Sequence, residues 1–182
     1  STFNQYFAGL GFDMFELPGG LAGHYVGAEY FEQTYEDIYD GQSETGLVGG
    51  SAGNSSSGER DVTAFFFESV LPVTDTVEVN IKARYDDYSD FGDKVSPAAS
   101  VRWEAMENLV LRASYSESFR APGLDLLNAA TTFSAEGAID VVNGSTTEAQ
   151  YDTYYSANPD LGAETSDYTN LGIAYDFNDN LS

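Results

Sequence analysis

Apolar and polar residues alternate with a period of two along most of this chain. Across residues 76–88, Val77, Val79, Ile81, Ala83 and Tyr85 fall on one side, and Glu78, Asn80, Lys82, Arg84 and Asp86 on the other. A helix brings its apolar residues back at three and four, so this spacing predicts a strand with one apolar and one charged face. Ala99, Val101 and Trp103 alternate in the same way with Ser100, Arg102 and Glu104. Leu109, Leu111, Ala113 and Tyr115 are set against Arg112, Ser114 and Ser116. Thr169, Leu171, Ile173, Tyr175 and Phe177 alternate with Asn170, Gly172, Ala174 and Asp176. Residues 6–16 and 21–35 are rich in Gly and aromatics, and 61–70 carry Phe65-Phe66-Phe67. These three bring the expected total to about seven strands. The Gly, Thr, Tyr and Val content disfavours helix throughout.

The connections alternate between two kinds. Short turns are predicted at Leu17-Pro18-Gly19-Gly20, Pro72-Val73-Thr74-Asp75, Met106-Glu107-Asn108 and Asn178-Asp179-Asn180, where Pro, Gly, Asn and Asp suit tight turns. Longer links run over 36–60, 89–93 and 119–165. In an up-and-down sheet alternate connections emerge at the same edge, so the short turns share one side and the long links the other. Transmembrane barrels have that asymmetry. The expected fold is therefore all-β: an antiparallel up-and-down meander of about seven strands forming part of a transmembrane β-barrel.

A soluble antiparallel sheet packed on a core shows the same alternation. A secreted or surface-exposed all-β domain that binds carbohydrate or protein therefore stands as the alternative. Two features favour the barrel. Long charged chains sit in mid-strand, and Glu78, Lys82, Arg84, Arg102, Glu104 and Arg112 are expected to face a lumen. Aromatics gather near strand ends: Trp103 and Phe177 beside short turns, Tyr85, Tyr88 and Phe119 beside long links.

Composition narrows the function classes. The 182 residues suit one domain, and 30 Asp and Glu against 7 Lys and Arg give a net charge of −23. Phosphate contacts need cations that are scarce here, which excludes nucleic acid as a partner. With 12 Phe, 13 Tyr and 1 Trp, the chain is too aromatic for acidic disorder. There is no Cys, and His24 is the only His, so neither a Cys-based zinc site nor a multi-His site is available. No apolar run approaches a membrane-spanning helix, whereas a membrane strand needs only about 9–11 residues. No Gly-x-Ser-x-Gly elbow surrounds any Ser, and His24 lies inside an expected strand, so no catalytic residues are assigned. Acidic residues crowd the links, among them Glu36, Asp37, Asp40, Glu136, Asp140 and Asp152, without the spacing of a Ca²⁺ loop. The tract from Gly49 to Gly58 lacks the Lys-Ser/Thr of a phosphate-binding loop and reads as a flexible link. No metal site and no cofactor are expected.

From Ala83-Arg84-Tyr85-Asp86-Asp87-Tyr88 onward the chain resembles the barrel of TonB-dependent outer-membrane receptors. Val95-Ser96-Pro97-Ala98-Ala99-Ser100-Val101-Arg102-Trp103 and Asn108-Leu109-Val110-Leu111-Arg112-Ala113-Ser114-Tyr115 are similar to successive strands of that family. Phe119-Arg120-Ala121-Pro122-Gly123-Leu124 resembles the start of a long extracellular loop. Asn158-Pro159-Asp160-Leu161 with Glu164-Thr165-Ser166 resembles the return from it, and Leu171-Gly172-Ile173 the strand that follows. Leu17-Pro18-Gly19-Gly20 and Gly27-Ala28-Glu29-Tyr30 resemble a family turn and strand.

The resemblance implies a place in the outer membrane of a Gram-negative bacterium and contact with its lipid. It implies a 22-stranded barrel filled by a plug domain, of which residues 1–182 are an internal slice, plug and C-terminal strands lying outside it. It also implies uptake of a scarce nutrient, such as a siderophore, vitamin or oligosaccharide, energised through the plug by TonB. The cargo is then a small molecule or metal chelate. Arg120, at the mouth of the long loop, and Tyr151, Tyr154 and Tyr155 within it are the candidate ligand contacts. A seven-strand sheet also has two unpaired edges, through which the isolated chain is expected to associate.

Overall fold

The computed structural model describes residues 1–48 and 53–177; the turn expected at 178–180 and part of the Gly/Ser tract lie outside them. In chain order the elements are β1 (Thr2–Leu17), β2 (Gly20–Asp37), α1 (Gly41–Glu44), β3 (Ser56–Thr74), β4 (Val77–Tyr88), β5 (Gly92–Met106), β6 (Leu109–Arg120), α2 (Leu124–Asn128), β7 (Thr132–Ala138), β8 (Ala149–Tyr155) and β9 (Glu164–Tyr175). Seven strands form one sheet in the order β1-β2-β3-β4-β5-β6-β9, and β7 pairs with β8 in a separate hairpin. The meander expected from the alternation is present. Its strands run longer than the pattern suggested, because Ser, Gly and charged residues at their ends pair as well as apolar ones do. By internal contacts the chain falls into two compact units. One comprises residues 4–32, 61–121 and 163–182; the other comprises 1–3, 33–60 and 122–162.

The register of the sheet sorts the side chains. Val77 lies opposite Trp103, Trp103 opposite Leu111, and Leu111 opposite Ile173. The next row on that face is Leu71, Val79, Val101, Ala113 and Leu171. Shifted by one residue, Glu78, Arg102, Arg112 and Gly172 form a row on the opposite face, and Asn80, Ser100, Ser114 and Asn170 form another. The apolar face is exposed among the described residues: Leu171 is 80% exposed and Ile173 77%. Only a few apolar side chains among the described residues are buried, Ala22, Val62, Ala64, Leu124 and Leu127. A water-soluble sandwich would cover such a face, since contiguous exposed apolar surface of this extent marks a surface that meets a partner or a membrane.

The turns corrected one expectation. The β3–β4 turn does not fall at 72–75. β3 continues to Thr74, and the turn is Asp75-Thr76. A register shift between Pro72 and Thr74 lets Val73 bulge out, which accommodates a proline that has no N–H to give the ladder. The Pro72 carbonyl instead accepts the Gly19 N–H at 3.1 Å, and Gly20 takes a φ of 132° that residues with a Cβ rarely adopt. Some ring contacts lie at strand ends, while others, such as Phe66 with Phe7 and Tyr25, lie in mid-strand. Phe91 lies 4.4 Å from Tyr88 and 6.3 Å from Phe119 between centroids, and Tyr175 meets Phe177 edge-on at the short-turn end.

The expected long loop over 119–165 is more ordered than a loop. β6 extends to Arg120, α2 buries Leu124 and Leu127, and the β7–β8 hairpin follows. Three hydrogen bonds tie its ends. Arg60, 5% exposed, donates through Nη2 to the Pro122 carbonyl at 2.8 Å. The Asn158 N–H donates to the Leu126 carbonyl at 2.9 Å, and Asn54 Nδ2 to the Thr131 carbonyl at 2.8 Å. The segments 119–124 and 158–161 thus act as the loop's anchors.

Two outcomes follow for stability. Arg60→Ala leaves the Pro122 carbonyl without that bond at a buried position, a loss of about 1–3 kcal/mol. It should expose 122–162 to limited proteolysis while the sheet stays resistant. Gly27→Ala would drive a Cβ into the Phe66 ring. Overpacking of that kind costs about 1–3 kcal/mol and should lower the denaturation midpoint.

Candidate functional site

On the polar face Lys82, Arg84 and Arg102, three of the cations expected to line a lumen, are ion-paired. Lys82 Nζ meets Glu68 Oε1 at 2.7 Å across the β3–β4 pair. Arg102 Nη1 meets Glu104 Oε1 at 2.7 Å along its own strand, with Glu78 opposite it on β4 and Arg112 opposite it on β6. The two carboxylates offset a like-charge pair that would otherwise destabilise the sheet. The structure therefore places Glu78, Lys82, Arg84, Arg102, Glu104 and Arg112 on one face, and pairs arginine with Glu104 along the strand rather than across it.

Arg84 is the hub of this face. Its Nη2 donates to Glu29 Oε2 at 2.7 Å and its Nε to Asp86 Oδ1 at 2.9 Å. Asp86 is buried at 3% exposure, and Gln5 donates to the other oxygen of Glu29. The guanidinium also lies 6.0 Å from the centre of the Phe66 ring. Phe66 in turn stacks on Phe7 at 5.6 Å and on Tyr25 at 5.7 Å. Gly27 gives Phe66 its bed and Gly9 gives Tyr25 its own, since a Cβ at either would collide with the ring above. Such a hydrogen-bonded charge network beside stacked rings holds four strands in one register.

Sequence reasoning missed Glu29, Asp86, Phe66 and Arg60 as organising residues. Glu29 carried a signal, a carboxylate in the middle of a Gly- and aromatic-rich strand. Arg60 carried none, because it lies inside what read as a long link.

The ligand candidates lie on separate elements. Arg120 Nη2 pairs with Glu164 Oε1 at 2.9 Å, both residues exposed, at the end of the β6–β9 pair. Tyr151, Tyr154 and Tyr155 all lie on β8 and all are exposed, with Tyr154 at 66%. The hairpin register divides them. Tyr154 lies opposite Phe133, its ring 5.5 Å away, whereas Tyr151 and Tyr155 share the other side with Glu136 and Thr132. Each side of the hairpin thus offers aromatic surface with a polar tip, suited to stacking on a flat ligand.

The acidic links are held by neutral donors. Asp40 caps α1, accepting from the Gln42 and Ser43 N–H groups and the Ser43 hydroxyl, and the Ser43 hydroxyl chiefly draws its carboxyl below the ordinary range. Glu44 is lowered by Ser55 and Asp140 by Asn143 in the same manner. These groups stay ionised. Among the described residues no three His, Cys, Asp or Glu side chains gather as metal ligands, and no helix is long and apolar enough to cross a membrane, which says nothing of strands.

Comparison with known proteins agrees with this architecture. The family described as TonB dependent receptor-like, beta-barrel matches residues 1–182. A probable TonB-dependent siderophore receptor PirA of Acinetobacter baumannii is 27% identical over 158 residues, covering 82% of this chain and 20% of that protein. The crystal structure of the siderophore receptor PirA from Acinetobacter baumannii superposes with a TM-score of 0.73 at 20% identity, over 96% of this chain and 24% of the other. A mutant ferric enterobactin receptor, PfeA of Pseudomonas aeruginosa, solved in complex with enterobactin, gives a TM-score of 0.73 at 24% identity, over 94% of this chain and 24% of that one. The chain spans about a fifth to a quarter of the length of these relatives. An exposed apolar face, a charged opposite face, the sequential meander and a family match over the full length agree: the chain belongs to the TonB-dependent receptors of the Gram-negative outer membrane and forms part of their β-barrel.

Proposed function

We propose that this chain works as a stretch of wall and outer loops in a receptor that imports a ferric siderophore across the outer membrane. The observation that carries the reading is the two-faced register of the sheet, with Val77, Val79, Val101, Leu111, Leu171 and Ile173 on one side and the charged residues on the other. In the proposed arrangement the first set meets lipid. Glu78, Lys82, Arg84, Arg102, Glu104 and Arg112 face the lumen and a plug domain. TonB acts through that plug, supplying the energy that a passive barrel lacks. Arg120 and the β8 tyrosines lie where arriving cargo first meets protein.

Energetics supports this assignment of faces. An Arg or Lys on the lipid face at mid-membrane costs about 2–4 kcal/mol. Four such residues there would together cost as much as the whole stability of an ordinary domain, about 5–15 kcal/mol. The relatives' names favour a siderophore over a vitamin or an oligosaccharide. A soluble binding domain would need a partner layer over the apolar face, and the family match leaves that reading without support. Ser69 Oγ lies 3.0 Å from His24 Nδ1, but this pair is packed among the rings of Phe12, Phe15 and Phe67; the family match directs the proposal to transport.

Two experiments test this. In the full-length receptor, Val79→Arg and Leu111→Arg should sharply reduce the heat-resistant folded barrel recovered from outer membranes. Lys82→Ala and Arg112→Ala should leave most of it. Equal tolerance of both pairs would mean that the apolar face meets protein. Deleting the gene should abolish growth on at least one ferric siderophore as sole iron source. Loss of growth on a vitamin or sugar alone would move the cargo to that class.

A further inference from the structure

Of the four cations expected on the polar face, the sheet itself satisfies three. Lys82 is bridged to Glu68, Arg84 to Glu29 and Asp86, and Arg102 to Glu104. Arg112 is exposed and has no ion pair among the described residues. Its neighbours explain why. In the row Glu78, Arg102, Arg112 and Gly172, the residue beside it on β5 is a like charge and the one on β9 has no side chain. Glu78 lies two strands away, about 10 Å at the usual strand spacing. Glu104 is already taken by Arg102. A Cβ built on Gly172 would meet only ordinary contacts, 3.8 Å from the Arg112 Cβ and 3.9 Å from Asn170 Oδ1, so the space on that side is open.

Such a cation is at ease in water and strongly destabilising in a filled lumen. Where a plug domain excludes water, a guanidinium without a partner is an uncompensated charge. Arg102 alongside adds a second positive charge, so a neutral acceptor answers the position poorly. A carboxylate answers it best, because the planar guanidinium can hold one through two parallel hydrogen bonds. Depth separates the plug from the cargo as the source of that carboxylate. β6 begins at Leu109, directly after a short turn, and Arg112 follows three residues later, about 10 Å from that edge. Arriving cargo first meets the opposite edge, where the long links emerge.

We infer, resting on the receptor reading above, that Arg112 is the docking point of this wall for the plug domain and grips an Asp or Glu carboxylate that the plug presents. Lys82, Arg84 and Arg102 tie the strands to one another, whereas Arg112 ties the wall to what fills it.

The test uses the full-length receptor in outer membranes, without cargo. A photoreactive benzoylphenylalanine replaces Arg112, and the segment captured on irradiation is identified by mass spectrometry. Capture of a plug peptide that carries Asp or Glu is expected. Hydrogen exchange of that peptide then tests the charge. Arg112→Ala should speed its exchange about tenfold, the worth of a hydrogen bond to a charged group. Arg112→Lys, which keeps the charge, should recover most of the protection. Lys82→Ala should leave the peptide unchanged, because Lys82 is bridged within the sheet. Heat-shifted gel mobility confirms an intact barrel in each variant, and Arg112→Gln replaces Arg112→Ala if the latter does not assemble. Capture confined to a barrel strand, or of a plug peptide without a carboxylate, would overturn the inference and leave the receptor reading standing. So would exchange that removing the Arg112 charge leaves unmoved, or that Lys82→Ala moves equally. Capture of lipid from position 112 would overturn both.

Discussion

Backbone pairing in register is the constraint on which everything else in this molecule depends. A strand surrounded by lipid has no water to receive its N–H and C=O groups, so each must find them a partner in a neighbouring strand. The strands β2 to β6 each have a neighbour on both sides, and pairing in sequence order gives it with the shortest connections. Once the register is set, the period of two leaves no freedom. A slip by one residue would move Val79 and Val101 to the charged face and Glu78 and Arg102 to the apolar one. Register and sidedness are therefore one property, and the apolar rows hold the register as firmly as the hydrogen bonds do.

The polar face adds a second lock. Arg84 joins Glu29 on β2 to Asp86 on its own strand and lies over Phe66 of β3, so three strands share one group of side chains. The stack of Phe7, Phe66 and Tyr25 brings in β1. Partners arranged in this way satisfy a half-exposed guanidinium, and they fix strands that bury few side chains among the described residues. A single sheet layer buries few side chains, so order must come from cross-strand contacts.

Much of this was legible in the sequence because alternation is a local signal. Val77 to Tyr85 show it without knowledge of any neighbour, and the short turns mark the strand ends. What was not legible depended on distant partners. Pro72 suggested a turn, but a bulge at Val73 absorbs it and carries β3 on to Thr74. Residues 132–155 read as loop because their alternation is short and polar, yet Phe133 and Tyr154 find each other across a hairpin. Arg60 lies in a stretch that read as a link, and its role exists only because Pro122, 62 residues away, presents a carbonyl to it. The tyrosines of β8 stand out in the sequence as candidate ligand contacts, and only the pairing shows that they serve two sides.

The central claim is that one face of this sheet meets lipid and the other the lumen. Single nitroxide labels placed in turn at residues 77–82 and 109–114 of the full-length receptor in membranes test it most directly. Collisions with oxygen, which concentrates in lipid, should peak at positions 77, 79, 81, 109, 111 and 113. Collisions with a water-soluble nickel chelate should be highest at the positions between them. Profiles without that alternation, or with the two probes exchanged, would contradict the account.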